Sequence, residues 1–332
     1  MLHTTGGNGA GNGHETSNRW PASTRRMGFG VILPMAEESA FGDRTPHFQD
    51  ILEMTRVAND VGFDAVWIID HFIYRNQPDD QYAMPETSDE RGIWECFTTM
   101  AGLASATERI QIGSLVACTG FRNPGLVAKM AETLDDISGG RIILGLGAGW
   151  HKPEYDAFGF PYDHRVTRFE EAIRIIQPLL RGGRVTFQGE FFQANNAVNR
   201  PRGPRPGGIP ILVGSSGHRM LRITARYADA WNTVWHGSPD AIPEQMAAVD
   251  EACREVGRDP ATLVRTAGGN VAMPGYTGRR PNPISGSDEE IAETIARFRD
   301  LGLQHFVAGL DACTPQTIEK FGRIIELVDA SG

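Results

Sequence analysis

The chain has 332 residues, with 41 acidic against 32 basic side chains, 40% hydrophobic content, 39 glycines and 20 prolines. That is room for one large domain or two small ones with a self-sufficient core, and no run approaches the roughly 20 consecutive apolar residues of a membrane helix. A formal charge of −9 with scattered Lys and Arg repels a phosphate backbone, which argues against nucleic acid as a partner.

Residues 1–26 carry Gly6, Gly7, Asn8, Gly9, Gly11, Asn12 and Gly13 and almost no apolar side chains. Such a segment does not offset its ordering entropy, so a disordered tail is expected there. Arg25-Arg26 followed by Val31-Ile32-Leu33 has a twin-arginine look, but the apolar run stops at Pro34 and meets Glu37-Glu38 with no small-residue cleavage site. Phe29–Leu33 reads better as a first buried strand.

From there short apolar runs alternate with amphipathic stretches. A helix carrying Phe48, Ile51, Leu52, Met54, Val57, Ala58 and Val61 on one face leads to a strand at Ala65–Ile69. The pattern predicts helix at Trp94–Ala106, strand at Ile110–Val116, and a helix opened by Pro124 and closed by Ser138-Gly139-Gly140. Strand Ile142–Leu146 and helix Arg165–Leu180 complete four βα units. Between Arg181 and Pro210 the rhythm breaks, and Val185–Phe187 and Glu190–Phe192 around Gln188-Gly189 read as a hairpin insertion.

The alternation resumes with strand Ile211–Val213, helix Arg219–Tyr227, strand Ala230–Thr233, helix Ile242–Val256 and strand Leu263–Ala267. A proline-rich loop at Met273–Ser287, helix Glu289–Leu301, strand His305–Val307 and a last helix through Ile318, Phe321, Ile324, Ile325 and Val328 follow. Strands that are apolar throughout belong to a parallel sheet covered by helices. Eight such units predict an α/β fold, a (β/α)8 TIM barrel with insertions spanning residues 27–332 after the tail. A doubly wound sheet is the runner-up, weakened because Leu33 is followed by Pro34-Met35-Ala36 rather than a glycine-rich turn.

A barrel of this kind works at the carboxyl ends of its strands. There stand Asp70-His71-Phe72, Ala117–Pro124, Gly147-Ala148-Gly149-Trp150-His151 and Gly214-Ser215-Ser216-Gly217. Gly214–Gly217, between a strand and a helix start, has the free N–H groups, hydroxyls and open backbone that suit a phosphate, and Gly145–Gly149 offers a second such surface. A histidine beside a carboxylate, as in Asp70-His71, exchanges protons near neutral pH; the alternative is a capping Asp70 and a packed His71. Cys96, Cys118, Cys253 and Cys313 have neither zinc-ligand nor redox-pair spacing, so buried reduced thiols in a cytoplasmic protein, and no metal, are expected.

At these residues the sequence resembles the bacterial luciferase-like superfamily, in particular its branch of oxidoreductases using the deazaflavin coenzyme F420. The resemblance runs over roughly residues 27–330. It rests on Gly30–Pro34, Asp70-His71-Phe72, Gly120–Pro124, Ser138–Arg141, Gly145–Trp150, Arg165–Ala172 and Tyr227–Trp231. It implies a flavin or deazaflavin across the carboxyl face, with a non-prolyl cis peptide at Leu115-Val116 behind the ring. It also implies His71 as proton shuttle with Asp70 beside it, and Gly147, Ala148, Gly149, Gly214, Ser215, Ser216 and Gly217 near ring and phosphate. Sugar-phosphate dehydrogenases of that branch carry a glutamate where Trp150 stands, so a sugar phosphate is not expected. Phe72 and Trp150, with Trp67 and Trp94, point instead to a flat apolar substrate pocket.

The resulting expectation is hydride transfer between F420 and a small, largely apolar organic substrate, with Arg75 and Arg122 as candidate cations for the cofactor's acidic tail. The alternative is an FMN-dependent monooxygenase that uses dioxygen and reduced flavin from a separate reductase. A third reading, a barrel that has lost catalysis, is disfavoured by the intact Asp70-His71 pair. The resemblance also makes a homodimer an open option, by analogy with relatives.

Overall fold

In the computed structural model, residues 19–37, 39–42, 44–75, 90–275, 280 and 282–332 are described. Eight parallel strands form the barrel: β1 (Gly28–Ile32), β2 (Ala65–Ile68), β3 (Gln111–Ser114), β4 (Ile142–Gly147), β5 (Ile211–Gly214), β6 (Ala230–His236), β7 (Val264–Ala272) and β8 (His305–Asp311). Each pairs with the next, and β8 returns to β1 with His305 opposite Gly28, so the sheet closes on itself as expected. Around it lie α1 (Phe48–Asp60), α2 (Cys96–Ala106), α3 (Pro124–Ser138), α4 (Lys152–Phe158), α5 (Arg165–Leu180), α6 (His218–Tyr227), α7 (Ile242–Glu255), α8 (Asp288–Asp300) and α9 (Pro315–Ala330).

The apolar faces of these helices and the outward side chains of the strands make the larger core, including Phe29, Ile51, Met100, Phe169, Ile176, Phe298 and Phe321. Inside the barrel a smaller cluster of Ile32, Leu115, Ile143, Leu212, Val264 and Val307 packs around Trp67. Trp67 is fully buried on β2, and its neighbours explain how it fits. A side chain at Gly30 of β1 would come within 2.2 Å of the indole, and one at Gly113 of β3 within 2.3 Å. The indole N–H donates to Nε2 of His305 at 3.2 Å.

Four departures from the sequence reading have physical causes. First, β6, β7 and β8 run past their expected ends at Thr233, Ala267 and Val307 through Val234-Trp235-His236, Gly268-Gly269-Asn270 and Gly309-Leu310-Asp311, because strand ends at the mouth face the cleft rather than helices. Second, the hairpin pairs Arg184–Gln188 with Gln193–Val198, not with Glu190–Phe192. Glu171 of α5 takes the N–H groups of Glu190, Phe191 and Phe192 at 2.8, 2.8 and 2.9 Å, which removes those donors from a strand ladder.

Third, β3 stops at Ser114, and after a cis Leu115–Val116 peptide the chain pairs again with β4 through Ala117–Cys118. Fourth, the expected tail ends too late. Residues 1–18 lie outside the described residues, but 19–26 pack under the barrel. Trp20 stands edge-on to His305 at 5.8 Å, Arg19 reaches the Gly207 carbonyl at 2.7 Å, and Arg25 pairs with Asp329 at 2.8 Å. One aromatic ring and two arginine contacts therefore order a stretch whose composition looks disordered.

His305 is fully enclosed at this end, and burial pushes its imidazole from the ordinary 6.5 down to about 3. The unfolded chain therefore binds a proton between about pH 6.5 and 3 that the folded chain refuses. The contribution of neutral His305 is complete above pH 6.5 and is lost as pH falls through that window, by up to ~1.4 kcal/mol per pH unit. Protonating Nε2 would also break the bond from Trp67. Replacing His305 by Gln should flatten this acid limb in denaturation curves taken from pH 7 to 4; an unchanged slope would assign the acid sensitivity elsewhere.

Candidate active site

The carboxyl ends of the strands open into a cleft of about 1380 Å³. Asp70, His71, Leu115, Val116, Gly147, Ala148, Gly149, Trp150, Gly214, Ser215, Ser216 and Gly217 all line it, so the expected site residues converge with one exception. Phe72 points away, packed at 5.0, 5.1 and 5.5 Å against Phe121, Phe158 and Phe160. Trp67 lies in the barrel interior and Trp94 on the surface, its indole bonded to the Pro46 carbonyl at 2.8 Å. Of the four aromatics expected around a substrate, Trp150 alone reaches the cleft, edge-on to His71 at 5.6 Å.

Asp70 and His71 are neighbours in sequence but not partners. Asp70 is 4% exposed and accepts two bonds from the Arg122 guanidinium, at 2.6 and 2.9 Å, and one from the Cys118 N–H at 2.8 Å. Arg122 also reaches Glu95 at 2.6 Å and lies over the Phe97 ring. These carboxylates keep the guanidinium charged despite its burial. Arg122 is thus committed inside the protein, and Arg75 pairs with Glu90 at 2.6 Å, so neither expected tail-binding cation is free for that task.

The carboxylate that holds His71 is Glu154. Its Oε1 lies 2.8 Å from His71 Nδ1, and its Oε2 accepts the Phe72 N–H at 2.9 Å. Glu154 is 1% exposed and sits in the first turn of α4, where free amides and the helix dipole favour a carboxylate. An ionised carboxylate only accepts, so Nδ1 carries the proton and Nε2 is the nitrogen left for a ligand. The sequence held a signal for this residue: Lys152-Pro153-Glu154 is a helix start with an acid in its first turn.

Beside the dyad, Cys118 and Tyr155 touch at 2.9 Å, and the Tyr155 hydroxyl reaches the Ala148 carbonyl at 3.2 Å. Burial pushes the Cys118 thiol up to about 12 and the Tyr155 phenol upward as well. Both are neutral near pH 7, and they tie the loops after β3 and β4 together rather than supplying a nucleophile.

The floor is built of small groups. Val116 fills the space over Gly147, where any side chain would fall 2.5 Å from its methyl, and lies 3.4 Å from the corresponding point on Gly214. Gly149 has φ +78°, and a side chain there would strike the Tyr155 hydroxyl at 1.8 Å. Part of the glycine pattern expected to admit a cofactor therefore admits Val116 and Tyr155. Gly217 caps the ten-residue α6 with nothing within 4 Å of its Cβ position, no side-chain cap and no acid in the first turn, which leaves amides for an anion. Ser216 remains beside it. Ser215 is directed inward, 2.9 Å from Thr224, whose own proton goes to the Met220 carbonyl. Arg165 reaches the Gly149 carbonyl at 3.1 Å, and its guanidinium lies over the Tyr162 ring at the same end of the cleft. An open amide end, an apolar floor and an adjacent arginine fit a phosphorylated planar cofactor.

The family described as luciferase-like monooxygenase matches residues 27–274, and the chain belongs to it. Its members are F420- or flavin-dependent oxidoreductases and monooxygenases. The 5,10-methylenetetrahydromethanopterin reductase of Archaeoglobus fulgidus is 33% identical over 174 residues, covering 52% of this chain and 46% of that protein, so the match spans about half of that relative. The phthiodiolone/phenolphthiodiolone dimycocerosates ketoreductase of Mycobacterium tuberculosis is 29% identical over 288 residues, covering 78% of this chain and 72% of the relative. An F420-dependent secondary alcohol dehydrogenase superposes with a TM-score of 0.74 at 21% identity, over 91% of this chain and 99% of that one, a likeness of fold. Among the described residues no helix is long and apolar enough to cross a membrane, no group of side chains could hold a metal ion, and all four cysteines are free and buried.

Removing one partner of a buried ion pair leaves an uncompensated charge. Arg122→Ala should accordingly destabilise the fold by ~3–5 kcal/mol in chemical denaturation. An unaltered midpoint would mean that Asp70 is stabilised without Arg122.

Proposed function

We propose that this luciferase-like oxidoreductase transfers a hydride between coenzyme F420 and a carbonyl or hydroxyl carbon of a small organic substrate, with His71 exchanging the proton on the substrate oxygen. The observation that carries this reading is the His71–Glu154 pair at the edge of the cleft, above the floor formed by Val116, Gly147 and Gly214. When bound, a deazaflavin supplies a two-electron hydride donor or acceptor that reacts poorly with dioxygen. The amides at Gly217, Ser216 and Arg165 would hold its phosphate, and Val116 would support its ring.

Glu154 fixes the His71 ring through Nδ1, so Nε2 is the proton-transfer atom. In reduction a protonated Nε2 gives its proton to the carbonyl oxygen; in oxidation the free lone pair takes the proton of the alcohol. Trp150 stands edge-on to this ring and covers one side of it. Relatives with reductase and ketoreductase names support a reductive rather than an oxygenating reading. The aromatic residues that made a largely apolar substrate the expectation lie off the cleft, except for Trp150.

Titrating the purified protein with F420 and with FMN, followed by cofactor fluorescence, tests the cofactor. Saturable F420 binding is expected, and tight FMN binding with none for F420 would replace this reading by the monooxygenase one. For the proton step, His71→Ala should lower turnover by ~10²–10⁴-fold with cofactor affinity nearly unchanged. Glu154→Gln should lower it by roughly 10–10²-fold, as expected for an orienting group. Full activity in either variant would remove that residue from the proton path.

A further inference from the structure

Across the barrel from the glycine floor, the cleft has a second polar end. β7 is four strands from β3 in either direction, so Asn270 of β7 faces Val116 from the opposite wall. Above Asn270 stands Arg280, on the connection that follows β7. This connection is held down: the Ile284 N–H donates to the Asn270 carbonyl at 2.8 Å, the Ala272 N–H to the Ile284 carbonyl at 2.9 Å, and the Arg280 N–H to Asp311 at 2.9 Å.

The Asp311 carboxylate thus takes the main chain of Arg280, and the guanidinium turns elsewhere. Its Nη1 lies 3.4 Å from Asn270 Oδ1, a long contact, and its centre is 5.9 Å from the Trp235 ring. No carboxylate pairs with this guanidinium among the described residues, in contrast to Arg122, Arg181 and Arg205, which hold buried or half-buried acids. With Oδ1 turned to Arg280, the Asn270 amide nitrogen is left to the cleft. Asn270 is 5% exposed and lines the cleft. An amide on a largely buried residue and an arginine fork that no carboxylate pairs among the described residues, both lining the cleft, have a definite complement. A planar anion would accept two parallel bonds from Arg280 and a third from Asn270, with Trp235 as an apolar wall.

We propose that the substrate is an organic carboxylate whose acid group is held by Arg280 and Asn270, remote from the carbon that reacts near His71. The proposal rests on the preceding reading only for which end of the substrate reacts; recognition of the anion needs no cofactor. It revises the expectation of a largely apolar substrate, and it places the substrate's charge opposite the cofactor's phosphate, where the two anions do not compete for one site.

The test is calorimetric binding of monocarboxylates from acetate to benzoate, each paired with its uncharged amide, to the full chain with and without saturating F420. At least one acid should bind tenfold or more tightly than its amide, and Arg280→Gln should abolish that difference while leaving F420 affinity unchanged. Arg280→Lys, which keeps the charge but not the fork, should retain part of it. Equal binding of every acid and amide, discrimination that survives Arg280→Gln, or inorganic phosphate outcompeting every carboxylate at this position would each overturn the proposal. So would loss of F420 affinity in Arg280→Gln, which would give Arg280 to the cofactor's tail. Failure of F420 to bind the wild-type chain, with acid discrimination intact, would count against the cofactor reading alone.

Discussion

A carboxylate as enclosed as Asp70 is compatible with a folded chain only if its charge is met within the protein, and the way it is met organises the mouth of the barrel. Arg122 arrives from the loop after β3, and so does the N–H of Cys118. The loop after β2 is thereby fastened to the loop after β3. Cys118 passes the connection to Tyr155, and Tyr155 to the Ala148 carbonyl after β4, so three consecutive loops are tied by one chain of hydrogen bonds. His71 is the residue next to the fixed point. Its imidazole meets Glu154 at 2.8 Å because the turn beneath it has no freedom to swing. Asp70 thus acts on His71 through the backbone, which gives the Asp-His sequence a physical reason other than direct contact.

How far this could be read from the residues depends on the range of the forces involved. Strands enclosed on both sides must be apolar along their length, so the eight runs, their order and closure were legible. The strand ends were not, because beyond the helix layer the same strands face the cleft, and His236, Asn270 and Asp311 look like loop residues in sequence. The hairpin register was lost to a single carboxylate, Glu171, about 20 positions away from the N–H groups it captures. The site loops were legible from barrel geometry. The partner of His71 was not, since it lies 83 residues away and adjacency favoured Asp70. Tryptophans misled for a similar reason. A large ring fits a ligand pocket and a barrel interior equally well by composition, and what decides for Trp67 is that Gly30 and Gly113 face it on the neighbouring strands.

The glycines after β4 show that absence of a side chain need not mean presence of a ligand. Gly147 yields its volume to Val116 and Gly149 to Tyr155, and only after these protein groups are seated does a flat floor exist. At Gly214 and Gly217, by contrast, no protein group presses closely on the missing side chain. The same residue type serves internal packing at one strand end and openness at the next. The loop after β5 therefore has the stronger physical claim to the anionic part of a cofactor.

Charge inside the cleft follows a different rule from charge on the whole chain. The surplus of nine acids would discourage any anion at long range, yet that surplus is mostly at the surface, where salt screens it within about 10 Å. Within the cleft burial selects what stays ionised. Cys118 and Tyr155 are held neutral, and burial lowers His236 toward its neutral form. Asp70 is consumed by Arg122, and Glu154 is turned to His71 and a main-chain amide. What remains to face a ligand is cationic at both ends, Arg165 near Gly149 and Arg280 near Asn270, with the His71 imidazole lining the same cleft. An acidic protein can therefore present a cleft whose two ends are cationic, which is the charge pattern that the proposed pairing of a phosphorylated cofactor with a carboxylate substrate requires.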